Sequence, residues 1–173
     1  GGLVASGSTC GVVTGGAAGI AMMNLDVLSR DGTEAEAGVM SMIKDYMQWF
    51  GRNYGSCLCR QRTDVDFHRP WGQVRYLFPG DKVAGCMWHI SGAVRYLCEL
   101  QLQPLPDSPR SVSCDAGRVS HCATTVLAEI EEKTGLADDI LNRIAFVFDG
   151  GVGLSGGICG ALVGATLGIN LKF

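Results

Sequence analysis

The chain predicts a mainly α-helical fold, a bundle-like domain in which Gly-rich loops lead into helices that open Cys-Gly-x-x-x-Gly. Three observations carry this. A segment built around one cysteine occurs twice, from Gly2 to Gly15 around Cys10 and from Gly151 to Gly164 around Cys159. At that spacing of 149 residues Ser6/Ser155, Gly7/Gly156, Gly11/Gly160, Gly15/Gly164, Gly19/Gly168 and Ile20/Ile169 all coincide. Between the copies, apolar residues recur at helical intervals and are bounded by helix start and stop signals. Strand-like alternation is confined to Gln73 to Phe78, which reads equally well as loop. A period this long marks a duplicated domain, not a solenoid.

The first helix is expected to start at Cys10, with Gly11, Gly15 and Gly19 along one face. Each glycine inside a helix costs about 1 kcal/mol relative to alanine. The pattern therefore calls for a close approach by another backbone or a cofactor. A second helix is signalled from Thr33 to about Tyr54. Thr33-Glu-Ala-Glu36 has the form of a capping box, Val39, Ile43, Met47, Phe50 and Tyr54 share a face, and Gly55 stops it. A third runs from about Asp81 to Leu100, with Val83, Cys86, Ile90, Val94 and Leu97 on one stripe. Pro104, Pro106 and Pro109 make Gln103 to Arg110 an extended connector. A fourth helix, about Val119 to Thr134, aligns Cys122, Val126 and Ile130 and ends at Gly135. A fifth, about Asp138 to Phe148, leads into the second Gly-rich loop. The last repeats the first, with Gly160, Gly164 and Gly168 on one face behind Cys159.

At 173 residues, 47% hydrophobic and 18% charged, the chain is long enough for one globular core. A net charge of −3 gives no reason to expect nucleic acid as a partner. Gly150 to Leu171 carries no charge, but its first half is loop by composition. The dozen or so helical residues that follow fall short of the roughly 20 a bilayer needs. The expectation is a buried short helix, no membrane span and, with no basic stretch before the opening segment, a cytoplasmic protein.

Eight cysteines are many for a reducing compartment and few for a small disulfide scaffold. That density points to metal ligands or redox thiols, with Cys98 and Cys114 read as buried core residues. Amide dipoles at a helix start favour thiolate, the form that binds metal or attacks disulfides. Cys10 and Cys159 each hold such a position, Cys122 is near one beside His121, Cys86 is early on its helix, and Cys57-Leu-Cys59 follows the Thr33 helix. No Cys-x-x-Cys pair exists, so zinc ribbons and thioredoxin motifs are absent, as are c-type haem motifs. His121 and His89 read first as hydrogen-bonding residues, and His68 as part of a solvated loop. Met22, Met23, Met40, Met42 and Met47 read as core, and Trp49, Trp71 and Trp88 as core or interface anchors. No hydrolase triad, phosphate loop or dinucleotide fingerprint appears.

Taken together, His121-Cys-Ala-Thr-Thr-Val-Leu127, Phe148-Asp-Gly-Gly-Val-Gly153 and Cys159-Gly-Ala-Leu-Val-Gly164 resemble the first half of the redox-active proteins named for a C_GCAxxG_C_C pattern. Cys10-Gly-Val-Val-Thr-Gly15, Phe50-Gly-Arg-Asn-Tyr-Gly55, Cys59-Arg60 and Cys86 resemble the second half. Split-Soret cytochrome c is a relative of that family; its haem motifs are not in this chain. By resemblance, 1–102 is the second half of one copy, 103–110 a connector and 111–173 the first half of a second, expected to pack as one compact domain. The resemblance implies a helical fold with Cys122 as the first family cysteine, Cys10 and Cys159 both as the second, Cys59 as the third and Cys86 as the fourth. Cys57 is held in reserve for Cys59.

The expected function is that of a redox-active protein binding an iron–sulfur cluster through four thiolates, for electron transfer or sensing. Gly11, Gly15, Gly160 and Gly164 would let backbone amides approach the cofactor. A redox protein or a second copy is the expected partner. Two alternatives stand beside this: a helical interaction module stapled by zinc or disulfides, and a thiol–disulfide oxidoreductase. Because the repeat order is permuted, a four-cysteine site has to close across Gln103–Arg110, between chains, or with sequence outside this chain.

Overall fold

The computed structural model describes residues 6–69, 71–101 and 121–171. Gly7, at φ +75°, turns the opening loop into Cys10, whose extended backbone (φ −61°, ψ 135°) caps helix α1, Gly11–Met23. The second copy repeats this geometry. Gly156 stands at φ +76°, and Cys159 (φ −60°, ψ 129°) caps α9, Gly160–Asn170. Between them lie α2 (Leu25–Asp31), α3 (Thr33–Tyr54), α4 (Cys59–Thr63), α5 (Gly72–Leu77), α6 (Asp81–Leu100), α7 (Cys122–Thr134), α8 (Asp139–Ile144) and a 3-10 turn, Ala145–Phe148. The fold is mainly α, and the described residues form no strand beyond one isolated antiparallel bridge, Thr9 to Leu58. No single described helix is long and apolar enough to cross a membrane.

The core is built on α3. Its Val39, Ile43, Tyr46 and Phe50 are fully buried, as are Val13, Ala17 and Ile20 of α1. Side chains of this size each contribute about 1.5–3 kcal/mol when fully buried. Tyr46 lies across α1 at Gly16, where an added Cβ would come within 2.5 Å of its ring, and its hydroxyl donates to the Val12 carbonyl at 2.9 Å. Trp49 stacks on Tyr96 of α6 with ring centroids 4.4 Å apart. The 3-10 turn is wholly buried and packs on α1, α7 and α9, joining the halves that the connector separates in sequence. Gln103–Arg110 and Cys114 lie outside the described residues.

Several expectations are corrected. Thr33 is the first helical residue rather than the cap; Gly32, at φ +53°, precedes it, no side chain caps the helix, and Glu36 turns to His121 instead. Gln73 to Leu77 is helical, part of α5, and among the described residues no strand pairs with it. On α6 the inward residues are Ala93 and Leu100, while Ile90 and Val94 face solvent. On α7 the buried residues are Ala123 and Leu127, one position round from the expected stripe. Cys98, Met22 and Met23 are exposed, not core, and of the two roles expected for Trp71 and Trp88 their exposure removes the core one.

Candidate functional site

The Thr9–Leu58 bridge decides which cysteines meet. Cys10 N–H donates to the Cys57 carbonyl and Cys59 N–H to the Ser8 carbonyl, both at 2.8 Å. Residues alternate sides along paired strands, so Cys10, Cys57 and Cys59 leave the bridge on the same face, with Cys57 directly opposite Cys10. Both chain segments then enter helices, α1 behind Cys10 and α4 at Cys59. Cys10 and Cys59 are buried and Cys57 is half-buried.

Arg62, one turn along α4 from Cys59, reaches back into this group. Its Nη1 donates to Cys10 Sγ at 2.9 Å and its Nη2 pairs with Nδ1 of His89 on α6. The guanidinium also lies over the Phe50 ring, 4.9 Å from the centroid. Its Nε is buried with no hydrogen-bond partner. Cys10 thus stands at a helix start with a guanidinium donating to its sulfur.

Burial pushes the Cys57 thiol above its ordinary range, and the charge of Cys10 adds to the shift. Cys57 Sγ donates to the Met47 carbonyl at 3.4 Å. Cys59 is raised chiefly by burial, with Cys10 and Cys86 pushing the same way. Cys86 completes the group from α6 through a hydrogen bond with Tyr76, which is pushed up to about 12 first by that bond and then by burial. Burial, with Cys10 and Cys57 behind it, also raises the Tyr46 hydroxyl. The first cysteine loop thus sets one sulfur under a guanidinium hydrogen bond beside two thiols that burial raises.

The second repeat is built differently. Cys159 caps α9 and Cys122 opens α7, and both are exposed. Asp149, only 6% exposed, accepts from Ala123 N–H at 2.9 Å and pairs with His121, which faces Glu36 on its other side at 3.7 Å. The glycines of α9 are occupied by packing. A Cβ on Gly160 would stand 3.0 Å from Asp149 Oδ1, one on Gly164 would overlap the Ala123 carbonyl, and one on Gly168 would be 2.7 Å from Ile130. At their counterparts Gly11, Gly15 and Gly19 an added Cβ would meet no other described residue within 4 Å. The cysteine loops of the two repeats meet at equivalent positions, Ile158 N–H donating to Thr9 Oγ1 at 3.4 Å.

The structure thus gathers Cys10, Cys57, Cys59 and Cys86 and leaves Cys122 and Cys159 at the surface. Among the described residues, no three His, Cys, Asp or Glu side chains converge closely enough, as they stand, to hold a metal ion. Sequence reading missed Arg62, Tyr76 and Asp149. Arg62 had one signal, its place a turn behind Cys59 on a cysteine-started helix.

A helical scaffold that collects thiols at its helix starts defines a class of cysteine-motif proteins with redox chemistry. The family model described as "Putative redox-active protein (C_GCAxxG_C_C)" matches residues 1–100 and 120–173, and the chain belongs to that family. No curated protein and no solved structure matches it.

Proposed function

We propose that the chain works as a thiol redox protein in which Cys10 and Cys57 form a dithiol/disulfide couple. The observation that carries this reading is the placement of Cys57 opposite Cys10 across the bridge, with Arg62 donating to the Cys10 sulfur. Directly opposed residues in an antiparallel pair lie within the roughly 4.4–6.8 Å Cα separation that a disulfide spans. In the oxidising direction, the Cys10 thiolate attacks a disulfide of the partner, forming a mixed disulfide and releasing one partner thiolate. Cys57 then gives up its proton and attacks the Cys10 sulfur, forming Cys10–Cys57 and releasing the second partner thiolate. The two electrons leave on the partner, a disulfide-bearing protein or small disulfide.

A second reading, an iron–sulfur cluster, is favoured by the soft donor set. Cys10 and Cys86 both act on the Cys59 thiol, Cys10 also acts on Cys57, and the four sulfurs would be the ligands. A cluster there would supply one-electron chemistry, and the unpartnered Nε of Arg62 would face an anionic group. For it to enter, Arg62 has to withdraw from Cys10.

The test is anaerobic purification followed by iron, zinc and acid-labile sulfide analysis, then disulfide mapping by mass spectrometry after treatment with an oxidised dithiol. Metal-free protein yielding a Cys10–Cys57 linked peptide is the expected result. Iron and sulfide in matching amounts would replace it with the cluster reading. Stoichiometric zinc, or oxidation that leaves Cys10 and Cys57 unlinked, would remove the thiol couple.

A further inference from the structure

The two repeats are half-built in complementary ways. On α1, Val13, Ala17 and Ile20 are buried under α3, while Gly11 and Gly15 are exposed, Gly19 is half-buried, and a Cβ added at any of the three would meet no other described residue within 4 Å. On α9 the glycine face is covered by α7 and Asp149, while Leu162 and Ile169, the counterparts of Val13 and Ile20, are 61% and 60% exposed. Each helix of the pair lacks the neighbour that the other has.

We propose that the open face of α1 is the seat of a second helix of the α7 type, supplied by another copy of the Cys122–Thr134 segment. A row of small residues would by itself say nothing. The occupant is assigned by what lies on the same row in the other repeat: Ala123 against Gly164 and Ile130 against Gly168. The three glycines recur in register on α1, and the backbone entering both helices is the same within a few degrees. Position by position, the α1 surface beside the row is no bulkier than that of α9: Val12 for Ala161 is the one gain of size, set against Val13 for Leu162 and Ala18 for Leu167. A helix shaped to α9 therefore fits α1 with little adjustment. Open glycines inside a helix otherwise bring only their conformational cost.

The seat bears on the thiol site. Asp149 holds the N-terminus of α7 through Ala123 N–H and also touches Gly160, so α7 and α9 start at the same end. A helix seated on α1 in that way brings its leading cysteine to the Cys10 end, beside Cys57, Cys59 and Cys86. This last consequence rests on the redox reading above; the seating itself does not.

The test joins a second copy of residues 121–149 directly before Gly1 of the full chain, which restores the 149-residue spacing between the repeats. Three quantities are read: limited proteolysis of the added segment, helix content, and the effect of Gly15→Leu. The proposal expects the segment to gain helix and to be cleaved at least tenfold more slowly than the same segment in the Gly15→Leu variant. Gly15→Leu in the parent chain should not lower its stability or its resistance to cleavage. An added segment that is cleaved at the same rate with or without Gly15→Leu overturns the proposal, whether it stays unfolded or folds elsewhere. None of these readouts depends on redox activity, so loss of the Cys10–Cys57 couple and loss of the seat are told apart.

Discussion

Cys10 and Cys159 cap the same kind of helix, from the same kind of loop, with backbone angles that agree within a few degrees. Cys10 is buried against a cation and two further thiols, whereas Cys159 is exposed. The glycine rows behind them show the reverse, covered behind Cys159 and open behind Cys10. The repeated motif therefore fixes a local shape and nothing more. The cation and the further thiols are added by α4, α6 and the loop before α4, which stand against the first copy's cysteine, and close helix packing is added by α7, which covers the glycine row of the second.

The largest effect expected from this contrast is at the glycines. Gly164→Val should force α7 away from α9 and cost about 3 kcal/mol, in line with overpacking of a filled interface. Its counterpart Gly15→Ala should leave stability unchanged or raise it by up to about 1 kcal/mol, through helix propensity alone. Thermal or urea unfolding of the two variants side by side checks both, and equal costs would erase the distinction. Next in size, Arg62→Met should slow alkylation of Cys10 roughly tenfold at neutral pH, the worth of one charge-assisted hydrogen bond. Cys159 should react as before, so peptide-resolved alkylation separates the two ends within a single sample.

The smallest effect is a pH dependence confined to the first end. Cys57 and Cys59 are raised in the folded protein above an ordinary thiol value of 9.0, so the folded state holds their protons more tightly than the unfolded chain. Their contribution to stability is complete below 9.0 and is lost as pH rises from there through the raised values. Urea midpoints measured between neutral and alkaline pH should fall, and Cys57→Ser with Cys59→Ser should flatten the fall. Cys159→Ser should leave its shape unchanged.

Much of the scaffold was legible because it is local. The ends of α3 and α6, the stop at Gly55 and the helices starting behind Cys10 and Cys159 follow from periodicity and glycine placement. What escaped depends on partners far away in sequence. Thr33 and Glu36 have the form of a capping box, yet Glu36 faces His121, the residue that precedes α7. Gln73 to Leu77 alternates like a strand but coils, and Gly72 admits the Asp66 carbonyl where a side chain would stand. The site was half legible. Cys10, Cys59 and Cys86 could be named from the motif, but Arg62 sits between Gln61 and Thr63 in what reads as a wet basic turn. Only the fold brings it 52 positions back to Cys10.

Asp149 has a consequence of a mechanical kind. One side chain clasps the first turn of α7 through Ala123 N–H, holds His121 before it and lies against Gly160 at the first turn of α9. Two helices that begin 38 residues apart, at Cys122 and Gly160, are thus fastened at a single point. Their first turns are expected to open together, and hydrogen exchange should find the amides of both ends protected as one cooperative unit.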